Sequence, residues 1–341
     1  MKAIEITKPF EIRIIEKEKP VRKKGEALLR VLYCGICGAD VASFTGNQPF
    51  TSYPRIPGHE FSAQIVEIDE NEKGFKTGDI ITCNPYFNCG ECYACKRGLV
   101  NACHDNQTMG VQRDGSFQEY ITMPVERIID GKGLSADELA LIEPFSISAH
   151  ALSRAEVREG DNLLIMGAGP IGLFALIKAK SMGARVAVAD LLESRLSLAK
   201  EYGADLIINN RTDDFDKKCE EFTFGNGFDV CVEACGAPVT FLSCIDKAAH
   251  GANVILIGNG KKETTFVHSV ILKKELNIFG SRNAYTKDFV SLINLVSSGK
   301  VNIKKMISAV YDVENAERAF DSLANNDGSI NKLVIKFSDP Q

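Results

Sequence analysis

The residues that could do chemistry stand at short, repeated intervals in this chain. Cys89, Cys92, Cys95 and Cys103 form C-x2-C-x2-C-x7-C within NCGECYACKRGLVNAC, a hydrophilic stretch rich in glycine and asparagine. Four thiolates so close in sequence make a closed tetrahedral set that suits zinc and leaves no position for a substrate, so the role is structural. Free thiols or an iron–sulfur cluster are the competing uses of such cysteines. A second group is scattered: Cys37 in YCGICGAD, His59 and Glu60 in PGHEF, and Glu143 in LIEPF. Each alone would read as packing. Together, a thiolate, an imidazole and a carboxylate can hold zinc with one position open, where a bound water or alcohol becomes far more acidic. Asp40 is either the carboxylate that orients the His59 ring or a loop cap.

A third group handles a nucleotide. GAGPIG, with Gly167, Gly169, Pro170, Ile171 and Gly172, follows the apolar run NLLIM and opens a helix; its glycines allow a tight turn and let a pyrophosphate approach the helix N-terminus. The next strand ends at Asp190, 18 residues beyond Gly172, where a carboxylate accepts the ribose hydroxyls of NAD and repels the extra phosphate of NADP. Arg195 is a second coenzyme contact or a plain surface arginine. Later strand ends, Glu233 to Gly236 and Leu256, Ile257 and Gly258, fall on the edge where open α/β sheets bind ligands, or are ordinary loops.

These residues need scaffolds of two kinds. Residues 1–144 run in short alternating strands such as EALLRVLY, EFSAQIVEI and FQEYITMPV broken by glycine and proline, a β-rich domain with the cysteine lobe at about 83–107. Residues 145–282 alternate apolar strands with helices, the pattern of a doubly wound parallel sheet. Residues 283–341 are predicted as a helix over Lys287–Ser298, a strand near Met306–Tyr311, a helix over Val313–Ala324 and a strand at Lys332–Phe337. So short a tail cannot bury itself, and the expectation is that it returns to the first domain, leaving a cleft between the two. The fold class is therefore α/β.

Composition removes other classes of function. A net charge of −5 without a basic block offers nothing to nucleic acid or to an anionic membrane. The apolar run from Leu163 to Ile177 is broken by three glycines and a proline and is too short to span a membrane. The opening MKAIEITKPFEIRIIEK lacks the pattern of an export signal, and 11 cysteines, an odd number in local clusters, suit thiolates in a reducing cytoplasm.

GICGAD, GHE, the four-cysteine lobe, IEPF and GAGPIG, in this order, resemble the zinc-containing medium-chain alcohol dehydrogenases over essentially the whole chain, and within them the sorbitol, threonine and sugar-acid dehydrogenase branch. Glu143 stands where many simple alcohol dehydrogenases carry a third zinc-binding cysteine. The resemblance implies a GroES-like catalytic domain, a Rossmann coenzyme domain, two zinc ions per chain, and a catalytic zinc held by Cys37 and His59 with Glu60, Glu143 and water. It also implies a homodimer or homotetramer. Many relatives relay the alcohol proton through a hydroxyl two residues and a histidine five residues after the zinc cysteine; here those positions are Ala39 and Ala42. GSRNAY resembles a stretch that reaches the cleft in this branch, so Ser281, Arg282 and Asn283 are coenzyme contacts, with Arg282 alternatively gripping a substrate carboxylate or hydroxyl. The expected function is hydride transfer between NAD and a secondary hydroxyl of a small polyhydroxylated substrate, a polyol or sugar acid. A simple alcohol or threonine as substrate, and an NAD-binding regulatory protein without turnover, are the alternatives.

Overall fold

A computed structural model describes residues 1–341, which part into two compact units: residues 1–144 with 284–341, and residues 145–283. No helix is long and apolar enough to cross a membrane.

The first unit is built on a mixed seven-stranded sheet. Its central strand, Glu26–Gly35, pairs antiparallel with Glu60–Glu67 on one side. On the other side its first half pairs with Tyr120–Pro124 and its last residues with Lys332–Lys336, so the end of the chain does return to the first unit. The register sets Gly35 opposite both Glu60 and Val334. Three segments far apart in sequence therefore end side by side. Burial holds the returning segment: Phe320 meets Phe44 and Phe117 edge-on, with ring centroids 5.6 and 5.8 Å apart, and all three are fully buried. The terminal elements differ slightly from expectation, with helices at Thr286–Ser297 and Ala316–Ala324, the latter preceded by a separate 3-10 turn at Val313–Asn315.

The second unit is a six-stranded parallel sheet in the order third, second, first, fourth, fifth, sixth: Leu206–Asn209, Arg185–Asp190, Asn162–Met166, Phe228–Glu233, Ala248–Leu256 and Asn277–Gly280. Its inner strands are almost continuously buried, as parallel strands covered on both faces must be. Between the first strand and the helix Pro170–Ser181 lies the glycine turn, with Pro170 opening the helix. Gly167 takes φ +104°, and a side chain there would lie 2.6 Å from the Cys235 sulfur. At Gly172 a Cβ would run into the Gly167 carbonyl. Strand and helix can approach this closely only because both positions are glycine.

Gly172→Ala is accordingly expected to cost about 1–3 kcal/mol through overpacking and to weaken dinucleotide binding more than tenfold. Thermal unfolding and coenzyme titration check both; an unchanged affinity would contradict the close-approach account.

Candidate active site

The side chains of the scattered group meet at the shared strand ends of the first unit. Ligand-capable atoms of Cys37, His59 and Glu60 all lie within 4.8 Å of one another, the last two being buried. Local structure explains the meeting. Cys37 caps the helix Gly38–Phe44, and its backbone N–H donates to the Asp40 carboxylate at 2.8 Å. The other Asp40 oxygen accepts the Gly58 N–H at 3.0 Å and faces His59 Nδ1 at 3.8 Å. One buried carboxylate thus ties the Cys37 segment to the His59 segment. His59 Nδ1 makes no hydrogen bond, and the Asp40 carboxylate, 3.8 Å away, lies at ion-pair distance from it.

Two residues complete the site without having been signalled by the sequence motifs. Lys332 is buried, donates to the Ile36 carbonyl at 3.1 Å, and forms an ion pair with Glu60. Tyr86 is also buried and donates its hydroxyl to Glu143, which sits in the first turn of the helix Ile142–Arg154. Nothing local betrays Lys332, a lysine opening a short strand; its partner is 272 residues away. For Tyr86 the sequence carries a faint signal, a large polar-tipped residue three positions before Cys89.

Electrostatics mark this as an unusual interior. Burial and the neighbouring charge of Glu60 raise the proton affinity of Cys37. Burial pushes Glu143 up to about 7, with Glu60 adding to the rise and His59 opposing it. The Tyr86 phenol is raised well above its ordinary value by burial and by the charge of Glu143. Burial disfavours charge on Lys332, but the carboxylate of Glu60 overcomes it and the ammonium is held above its usual value. Cys37, Asp40, Glu60 and Glu143 supply more potential negative charge than Lys332 and His59 neutralise, and a divalent cation at the Cys37–His59–Glu60 trio fits that donor set.

The four cysteines fit zinc more tightly. Cys89, Cys92, Cys95 and Cys103 gather within 4.8 Å, with sulfur–sulfur distances of 3.6, 3.9 and 4.0 Å. A tetrahedron with the usual zinc–thiolate bond has edges of about 3.8 Å. Backbone N–H groups of Cys95 and His104 lower Cys92 to about 6, whereas burial raises Cys103 to about 12.

In the second unit the Asp190 carboxylate accepts N–H groups of Ala168, Leu191 and Leu192 at 2.7–3.0 Å and faces Arg195 at 3.8 Å. It therefore stiffens the glycine turn from the adjoining strand. Arg195 also passes 3.9 Å from where a Gly169 side chain would begin. The buried Glu233 carboxylate is engaged by its own loop, accepting from Cys235 and Gly236 N–H at 2.9 Å and from the Thr240 hydroxyl at 2.6 Å. Its backbone carbonyl takes the N–H of Ile257 and Gly258, and Leu256 accepts from Ser281 N–H at 2.9 Å, so consecutive strand ends are laced into one edge. Asn283, after Arg282, has φ +50°.

Comparison with known proteins gives the family of the chain. Residues 23–132 match the alcohol dehydrogenase GroES-like domain and residues 170–298 the zinc-binding dehydrogenase family. L-galactonate-5-dehydrogenase of Escherichia coli K12 is 35% identical over 96% of this chain and 97% of its own length. The chain belongs to the zinc-type medium-chain alcohol dehydrogenases. Another member, sorbitol dehydrogenase of Halalkalibacterium halodurans, is 32% identical over 92% of each chain. A crystal structure of a dehydrogenase from Escherichia coli CFT073, complexed with NADH, superposes with a TM-score of 0.92 at 31% identity, covering 99% of each chain. The two-part architecture, a GroES-like unit and a parallel-sheet unit, is that of the family.

Two outcomes follow for this dehydrogenase. Lys332→Met leaves Glu60 buried without its cation, and the metal-free protein is expected to lose about 3–5 kcal/mol of stability. The zinc-loaded protein should lose less, and equal losses with and without chelator in thermal unfolding would contradict the charge account. Metal ligands must shed their protons, and burial holds that of Cys37 more tightly than usual, so metal binding there weakens as pH falls. Acid titration with a coloured zinc indicator should release one equivalent from the trio before one from the cysteine lobe; the reverse order would be contrary to this.

Proposed function

We propose that the protein is a zinc-dependent oxidoreductase that transfers hydride between NAD and a secondary hydroxyl or ketone of a polyol or sugar acid, working in the cytoplasm as a homodimer or homotetramer. The gathering of Cys37, His59 and Glu60 beside further buried charge carries this reading, because binding a nucleotide alone requires no such donor set. The glycine turn and Asp190 favour NAD. Substrate class follows from the named activities of the relatives, L-galactonate and sorbitol dehydrogenation.

In this reading Cys37, His59 and Glu60 hold the catalytic zinc, and Cys89, Cys92, Cys95 and Cys103 hold the structural one. When bound, zinc supplies a Lewis acid that polarises the substrate hydroxyl, and NAD supplies the hydride acceptor. Asp40 orients His59 and fixes its tautomer. Lys332 pairs with Glu60 and holds it in place, and Glu143 waits beside the trio under the hand of Tyr86. Residues 39 and 42 are alanine and relay no proton, so the alcohol proton leaves by another route, through water, a ribose hydroxyl or a carboxylate of the site. In the second unit Gly167, Gly169, Pro170, Ile171 and Gly172 receive the pyrophosphate, with Asp190 and Arg195 at the adenosine end. Leu256, Ile257, Gly258, Ser281, Arg282 and Asn283 line the edge beyond, and Glu233 shapes it.

The test is cofactor reduction across polyols, sugar acids, threonine and simple alcohols, with NAD and NADP in parallel. Turnover with NAD on a polyhydroxylated substrate, lost on chelation and reduced more than a hundredfold in Cys37→Ser, is the expected result. Full activity of Cys37→Ser, or preference for a simple alcohol, would contradict it.

A further inference from the structure

The strand Tyr86–Phe87 stands at the base of the cysteine lobe and pairs with Gln107–Thr108, so these two short strands are the stem on which Cys89–Cys103 is mounted. Alternation sends its side chains opposite ways. Phe87 is clasped between the guanidinium groups of Arg113 and Arg127, 3.8 and 4.3 Å from its ring centre. Tyr86 turns the other way, into the buried site, where it donates to Glu143. Its backbone is fixed on both sides: the N–H donates to Asn84 Oδ1 at 3.0 Å and the carbonyl accepts from Arg127. A phenol held this firmly dictates where the carboxylate it bonds can go. Glu143, moreover, is not one of the three residues whose ligand atoms share the 4.8 Å cluster.

Building on the zinc reading above, we propose that Tyr86 is a positioning residue that holds Glu143 outside the inner sphere of the catalytic metal, keeping one coordination position free for the substrate hydroxyl. The stem of the cysteine lobe is the mount for this residue, so the structural zinc site also serves the catalytic one. A carboxylate released beside a divalent cation would bind it, occupying the position the substrate needs. Loss of the tyrosine hydroxyl should therefore slow turnover while tightening metal binding, the opposite of what loss of a merely supporting hydrogen bond does.

The experiment compares wild type, Tyr86→Phe, Glu143→Gln and the double variant as full-length protein. It reads metal stoichiometry, chelator competition at the catalytic site, the visible spectrum after cobalt substitution there, and kcat. Tyr86→Phe is expected to lose about 10–100-fold in kcat, to bind the catalytic metal at least as tightly as wild type, and to shift the cobalt spectrum. Glu143→Gln should leave metal affinity within about twofold of wild type, since the carboxylate is not a ligand while Tyr86 is present, and in the double variant should reverse the spectral shift. A more than tenfold loss of metal affinity in Glu143→Gln, or in Tyr86→Phe, would overturn the proposal, as would a Tyr86→Phe protein with unaltered spectrum and kcat. Two metals per wild-type chain with any of those results sinks this proposal alone, whereas one metal per wild-type chain, confined to the cysteine lobe, sinks the zinc reading with it.

Discussion

Negative charge held out of water is the constraint on which the first unit is organised. Cys37, Asp40, Glu60 and Glu143 are brought together at one end of a sheet, where burial makes ionisation of Cys37, Asp40 and Glu143 costly. Such a cluster persists only if cations reach it and backbone donors satisfy it. Lys332 supplies one charge, and the N–H groups of Cys37 and Gly58 are spent on Asp40. The remaining imbalance suits a divalent ion. The pairing of the chain's last strand with Glu26–Gly35 has its reason here: the same ladder that aligns Gly35 with Glu60 brings Lys332 up to the site.

The two cysteine-bearing sites differ in the way their tasks demand. Four sulfurs of one short loop close around a point with nearly regular spacing, which fixes the stem strands. The other trio draws its members from a helix cap, a loop and a strand start, and includes three kinds of donor. A closed set stabilises, and a mixed, unsaturated one leaves room for chemistry. In the second unit the same economy appears in backbone form: the glycine turn, the Asp190 carboxylate and the Glu233 loop bond mainly to peptide N–H groups, building a rigid edge from main chain rather than from long side chains.

Much of this was legible because the information is local. The C-x2-C-x2-C-x7-C run encodes its own geometry, and GAGPIG announces a strand, a turn and a helix within a few residues. Apolar strands alternating with helices made the α/β class readable. Asp40 was readable only as one of two roles, since a sequence shows neither that its first oxygen meets the Cys37 N–H nor that its second lies between Gly58 and His59. Lys332 and Tyr86 escaped notice for a physical reason. A buried lysine is defined by its partner, and Glu60 is brought to it by sheet register rather than by spacing. Tyr86 faces the site because the stem strand turns it inward, and the residues that set that strand, Arg113, Arg127 and Thr108, lie well downstream.

The most direct measurement of the central claim, that this fold assembles one closed and one open zinc site from its own side chains, is anomalous diffraction at the zinc absorption edge from crystals of the protein purified without chelator. Two peaks per chain are expected, one among Cys89, Cys92, Cys95 and Cys103 and one among Cys37, His59 and Glu60, the second weakened first by a brief chelator soak. A single peak in the cysteine lobe, with the trio empty after growth in added zinc, would contradict it.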